Sequence, residues 1–151
     1  MQLSTKIEKL RKKKGWSQEE LADAVGVSRQ SVFKWESGVN TPDIDKMKKA
    51  IKYFLGTHSF KSFTPAKDIR NNYIRTINYV DISVNNDIVC FTFRGYVFIK
   101  YQIRNMVGYL IRVGEGKKNG EDIPMILEKE DRRYASVTAH SEGLFLTDVK
   151  Y

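Results

Sequence analysis

Arg29, Gln30, Phe33 and Lys34 lie within six residues of one another and combine side chains suited to reading nucleic-acid bases. Arg and Gln can make bidentate bonds to guanine and adenine, and an aromatic ring can touch a thymine methyl. In isolation the same window fits a solvated helix face, so its chemistry depends on what holds it. Other candidates are thinner. Gly114-Glu115-Gly116-Lys117-Lys118 has the residues of a phosphate cradle, but it follows a helical pattern and lacks the rest of a P-loop, which favours a helix-ending turn. His58 and His140 have no nucleophile at a readable spacing, and with the single Cys90 they form neither a disulfide nor a metal-ligand cluster. No cofactor or metal is expected.

The elements that must position the Arg29 window are read from glycines and caps. Residues 1–40 divide into three short helices ended by Gly15, Gly26 and Gly38. Ser17 with Glu20 makes a capping box for the second helix, and Ser28 caps the third. Leu10, Leu21, Ala22, Val25, Val27, Val32 and Trp35 supply a small core, with Trp16 closing one side. Two helices around a tight turn at Gly26, packed into about twenty residues, have the dimensions of a helix-turn-helix.

The run from Ser17 to Gly38 resembles the Cro and phage-repressor (XRE-type) DNA-binding domains. The likeness covers about residues 4–46 and rests on Gln18, the pair Leu21-Ala22, Val25-Gly26-Val27-Ser28 and Lys34-Trp35-Glu36-Ser37-Gly38. It implies that Arg29, Gln30 and Lys34, with Phe33 and the capping Ser28, face base edges or the nearest phosphates, and that Gln18 meets the DNA backbone. It also implies a structural pair, Arg11 with Glu36, and a dimer that reaches two half-sites.

Thr41 to Phe63 is where this reading ends and another begins. Thr41 suits an N-cap, Pro42 the first helical position, Asp43 and Asp45 the positive end of the dipole, and Gly56 the stop. The predicted helix, 43–55, has an apolar row of Ile44, Met47, Ile51 and Leu55, widened by Ala50, Tyr53 and Phe54, wide enough to serve two neighbours. Downstream, alternation predicts a hairpin of Arg75–Val84 and Ile88–Arg94 around Asn85-Asn86-Asp87. The period then turns helical through Ile103, Met106, Val107, Leu110 and Ile111 until Gly114, a second helix follows near 122–128, and Leu144–Tyr151 reads as a final strand.

This second region resembles the C-terminal half of the tRNA pseudouridine synthase A (TruA) family. The matching pieces include Phe54-Leu55-Gly56-Thr57-His58-Ser59-Phe60, Arg75-Thr76-Ile77, Phe93-Arg94-Gly95, Arg104-Asn105-Met106-Val107-Gly108, Thr138-Ala139 and Gly143-Leu144-Phe145-Leu146. The resemblance implies cofactor-free modification of tRNA uridines by an Asp within an Arg-Thr-Asp-Ala-Gly run. That run is absent; Asp23-Ala24-Val25-Gly26 is the nearest approach and belongs to the helix-turn-helix. Arg104 is the surviving member of the implied active site, so no catalytic residue is assigned and the chain is expected not to be an enzyme. A ferredoxin-like half-domain is also implied, in which a missing strand would lie between Leu144–Tyr151 and Ile88–Arg94; two open edges favour a homodimer.

The charge is compatible with both resemblances. Residues 1–50 carry 11 basic and 7 acidic side chains and residues 51–151 carry 15 and 11, so both halves are basic. Such a surplus suits phosphate binding and also serves solubility. No apolar run reaches the roughly 20 residues of a membrane helix, and the N-terminus lacks a signal-peptide core, so a cytoplasmic, non-membrane protein is expected. The expected fold class is α+β: an all-helical helix-turn-helix domain (1–46) joined by a shared helix (43–55) to an incomplete ferredoxin-like α+β half-domain (43–151). The expected function is that of a chimera, a repressor-like transcription regulator that binds duplex DNA, fused to a catalytically incomplete synthase half. The alternative is an RNA-binding or tRNA-modifying fragment that needs a complementary N-terminal half, with tRNA as partner.

Overall fold

The computed structural model describes residues 3–37, 43–86 and 88–151. Three helices, α1 (Leu3–Lys13), α2 (Gln18–Val25) and α3 (Arg29–Ser37), precede a fourth, α4 (Ile44–Ile51). A three-stranded antiparallel sheet follows in the order β1 (Gly56–Ser59), β2 (Ile74–Asn85), β3 (Ile88–Gly95), and then helices α5 (Gln102–Gly114) and α6 (Ile123–Lys129). The class is α+β, with the N-terminal helices first and the sheet and its helices after them.

Local chemistry sets the first boundaries. The Ser17 hydroxyl accepts from the Glu20 amide at 3.0 Å while Glu20 accepts from the Ser17 amide at 2.6 Å, so the capping box holds both donors. Gly26 ends α2 at φ 71°, a left-handed conformation that a side chain would strain. The expected core of these helices is thinner than its pattern suggested. Ala22 and Val32 are buried and Leu21, Val27, Trp35 and Trp16 are half-buried, but Leu10 is 42% and Val25 51% exposed. Three short helices have too little facing surface to cover every apolar position.

The expected start of α4 at Thr41 and Pro42, and the stop at Gly38, lie outside the described residues. Asp43 is the N-cap, accepting from the Lys46 amide at 3.1 Å, and the α-helix ends at Ile51 with one 3-10 turn through Phe54. Met47, Ala50, Ile51 and Phe54 all enter the C-terminal core, while Leu55 is 39% exposed, so the helix serves that core with most of its apolar arc. At the core's centre Phe54 meets Phe63 edge to face with ring centroids 5.1 Å apart, and Phe63 meets Tyr109 at 6.2 Å. Gly120 allows the chain after α5 to close on α4, since an added Cβ would come within 2.6 Å of the Ala50 methyl.

The hairpin forms as expected, with Ile77 and Ile82 buried and Val80, Val89, Phe91 and Phe93 packed against the core. The sheet departs from the expectation in two places. Gly56 opens β1, which pairs with β2 from Gly56 opposite Ile77 to Ser59 opposite Ile74, rather than simply stopping a helix. Leu144–Tyr151 is not a strand: after a 3-10 turn at Ser141–Gly143 it runs exposed and without regular structure. Alternating apolar residues make a strand only beside backbone that supplies ladder hydrogen bonds, and β3 does not pair with this segment.

Candidate functional site

Two surfaces carry candidate chemistry. On α3, Arg29 and Phe33 are neighbours at i and i+4, as are Gln30 and Lys34, and all four are exposed while Val32 turns inward. Phe33 is 59% exposed, a large apolar ring that the three-helix core does not use. Ser28 is committed as the cap: its hydroxyl accepts from the Ser31 amide at 3.2 Å and lies 3.0 Å from the Ser31 hydroxyl.

This face is buttressed from behind. Arg11 donates to both Glu36 carboxylate oxygens, at 2.5 and 3.1 Å, and to the Trp16 carbonyl at 2.7 Å, joining α1 to α3 as the resemblance implied. Gln18 donates to the same carboxylate at 2.8 Å, which ties α2 in and leaves the second N–H of its amide for another acceptor. The Arg11 hydrogen bond holds the Glu36 carboxyl below its ordinary range, against the opposing effect of burial.

The second surface surrounds the start of α5. Arg104 is half-buried and fixed there. Its Nε donates to the Ala139 carbonyl at 2.8 Å, the Ala139 amide donates back to the Arg104 carbonyl at 2.9 Å, and its guanidinium lies 4.9 Å from the Tyr101 ring centroid. Tyr101 adopts φ 64°, a left-handed conformation rare for a bulky residue, and Lys100 Nζ lies 5.3 Å from the same ring.

Next to it, Asn105 accepts from Thr138 at 2.7 Å and from Arg132 at 3.2 Å while donating to the Phe63 carbonyl at 2.7 Å. Burial lowers the pKa of Arg132, whose second terminal nitrogen is enclosed without a hydrogen-bond partner. Among the described residues neither Arg104 nor Arg132 pairs with a carboxylate. Sequence reasoning missed Tyr101 and Arg132. The strained backbone of the first has no signature in residue type, and the second sits in an ordinary charged run, Asp131-Arg132-Arg133.

The remaining candidates take structural or exposed positions. His58 Nε2 lies 2.7 Å from the Leu55 carbonyl and its ring stands edge-on to Phe60, and exposed His140 lies 3.9 Å from Glu142. Cys90 is an exposed free thiol. In the Gly114–Lys118 run the amides of Glu115, Gly116, Lys117 and Lys118 all donate to the last turns of α5, so they close the helix and none cradles a phosphate. Among the described residues no metal-holding group of His, Cys, Asp and Glu occurs and no helix is long and apolar enough to cross a membrane.

Comparison with known proteins separates the same two regions. The model of a tRNA pseudouridine synthase family matches residues 50–151, and a helix-turn-helix model matches residues 7–57. The two overlap at 50–57, the end of the helical segment that both readings share. A protein named tRNA pseudouridine synthase A 1 from Bacillus cereus is 39% identical over 109 residues, covering 72% of this chain and 44% of the relative. Its namesake from another Bacillus cereus strain is 34% identical over 154 aligned positions, 99% of this chain and 62% of the relative. A tRNA pseudouridine synthase A from Streptococcus pneumoniae is 40% identical over 111 residues, covering 72% and 45%. The chain thus spans about half the length of the curated relatives it matches.

Proposed function

Because this chain belongs to the tRNA pseudouridine synthase family through residues 50–151 and carries a helix-turn-helix domain at 7–57, we propose that it is a chimeric DNA-binding protein whose synthase half is catalytically incomplete. The carrying observation is the exposed face of α3, with Arg29, Gln30, Phe33 and Lys34 on one side and the Arg11–Glu36–Gln18 network bracing the other. A recognition helix needs this combination: side chains that reach base edges and a scaffold that fixes their register. In this reading it is a cytoplasmic regulator that works as a homodimer, presenting two recognition helices together. Selection from a random duplex pool followed by titration tests it. The Arg29→Ala, Gln30→Ala, Lys34→Ala variant should lose about 1–3 kcal/mol for each base-reading contact at the selected site. Equal binding of variant and parent to every duplex would refute it.

One feature favours a second reading. Among the described residues Arg104 and Arg132 are held in place with no carboxylate paired to them, one edge of β3 is unpaired, and Leu144–Tyr151 forms no strand. Such an incomplete ferredoxin-like half-domain can accept a strand and an Asp from a complementary N-terminal synthase half. The chain alone then makes no pseudouridine, because a guanidinium stays protonated and is neither nucleophile nor base. Tritium release from uridine-labelled tRNA should appear only when such a half is added.

A further inference from the structure

We propose that the open cleft between α4 and the turn at residues 116–121 seats the sugar–phosphate backbone of folded RNA, apart from both the α3 face and the Arg104 corner. The proposal rests on the RNA-facing part of the function argued above. The cleft has a volume of about 710 Å³ and is lined by Lys46, Lys49, Tyr53, Lys117, Lys118 and Glu121. Four lysines and one acidic residue thus line it. Lys117 also lies 3.2 Å from Glu115, but among the described residues no carboxylate pairs with Lys46, Lys49 or Lys118.

Helix stability accounts for three of these lysines but not for the fourth. Lys49 sits in the last turn of α4, and Lys117 and Lys118 follow the end of α5, where positive charge complements a helix dipole. Lys46 lies instead in the first turn of α4, three residues after its cap, where the same dipole disfavours it. A polyanion in the cleft would reverse that penalty and relieve the repulsion among the four lysines, releasing its counterions.

Tyr53 decides the class of polyanion. It is 40% exposed on the cleft wall, and an exposed ring beside a basic groove is a stacking platform for unpaired bases. Folded RNA offers such bases in its loops, whereas duplex DNA keeps its own stacked. The walls are held at a fixed separation by the close approach of Gly120 to Ala50, so the lysines are presented by a rigid support.

The test is a set of titrations of an unmodified tRNA transcript and of a duplex DNA over a salt series. Lys46→Gln, Lys49→Gln, Lys117→Gln, Lys118→Gln together should lower tRNA affinity at least tenfold near 0.1 M salt and flatten the log–log salt slope by about 3 to 4, at roughly 0.7–0.9 per lost phosphate contact. Tyr53→Ala should lower tRNA affinity several-fold without changing the slope. A charge-matched control, Lys9→Gln, Lys67→Gln, Lys129→Gln, Lys150→Gln, should keep both, and all variants should unfold cooperatively above the titration temperature. If the parent binds duplex DNA but no tRNA at low salt, the RNA-facing reading fails and the cleft with it. If the parent binds tRNA and the cleft variant keeps its slope, or the control loses as much, the reading stands and the cleft assignment is overturned. A cleft variant that loses duplex DNA and keeps tRNA overturns the assignment to RNA.

Discussion

Among the described residues, α1–α3 bury two apolar side chains, Ala22 and Val32, whereas the region from Met47 to Ala135 buries a continuous cluster centred on Phe54, Phe60, Phe63 and Tyr109. The first region compensates with directional contacts: a capping box on α2, the Ser28 cap on α3, and one carboxylate, Glu36, that serves Arg11 and Gln18 together. Packing holds the second region, and polar geometry holds the first. Such a polar scaffold is sensitive to the charge state of one group, while an aromatic core is sensitive to lost volume. The division also suits the proposed function, since the α3 side chains proposed to face DNA need only a fixed helix and the Arg104 corner draws several elements together at depth.

The largest effect should come from the packed side. Phe63 is fully buried between Phe54 and Tyr109, so Phe63→Ala should cost about 3–5 kcal/mol by urea denaturation. Hydrogen exchange would sharpen the comparison: amides of α5 and β2 should lose protection while those of α2 and α3 keep theirs. Equal loss in both regions would mean that one cooperative unit spans the chain.

An intermediate effect belongs to Glu36. Its carboxyl is held below the ordinary value by the Arg11 hydrogen bond, so the folded state binds its proton less readily than the unfolded state. The contribution is therefore complete above about pH 4.5, the unfolded value, and is lost as pH falls through the lower folded one. Glu36→Gln should cost about 2 kcal/mol at neutral pH, because the charge-assisted bonds to Arg11 are lost, and should remove this acid dependence from α1–α3. Circular dichroism between pH 6 and 2 checks it. The carboxyl of Asp131, lowered to about 2 mainly by its side-chain bond from Arg133, lies in a surface turn of the other region and should leave α1–α3 untouched.

The contrast between regions also explains which features could be read in the sequence. Ser17 with Glu20, the turn at Gly26 and the alternation of Val80, Ile82, Val89, Phe91 and Phe93 are local signals, and each produced the expected element. β1 was missed because Gly56–Ser59 is four residues long and follows a helix directly, leaving no alternation to read. Leu144–Tyr151 was misread for the opposite reason: its pattern suits a strand, but strand formation depends on a neighbour that local sequence does not report. Leu10 and Val25 were expected inside because periodicity names a face without saying whether anything covers it. At the Arg104 corner, Arg104 and Thr138-Ala139 were visible through family likeness. Tyr101 and Arg132 became visible only with the backbone conformation and burial in hand.

The smallest effect tests whether caps matter more where packing is thin. Ser17→Ala removes the acceptor for the Glu20 amide at 3.0 Å and leaves the backbone amide's bond to the Glu20 carboxylate as the remaining half of the capping box. The general cost of such a loss is about 1 kcal/mol. Here α2 has one buried apolar residue, Ala22, to hold it once its first turn frays, and Gln18, which follows the cap directly, carries the link to Glu36. Fraying should therefore spread to the brace behind α3. The comparison variant is Asp43→Ala, which removes the same kind of cap from α4 but leaves Met47, Ala50 and Ile51 anchored in the larger core. Ser17→Ala should lower amide protection across α2 and into α3 and weaken duplex DNA binding a few-fold, whereas Asp43→Ala should affect only the first turn of α4. Indistinguishable exchange profiles for the two variants would show that the N-terminal helices are as firmly packed as the core they precede.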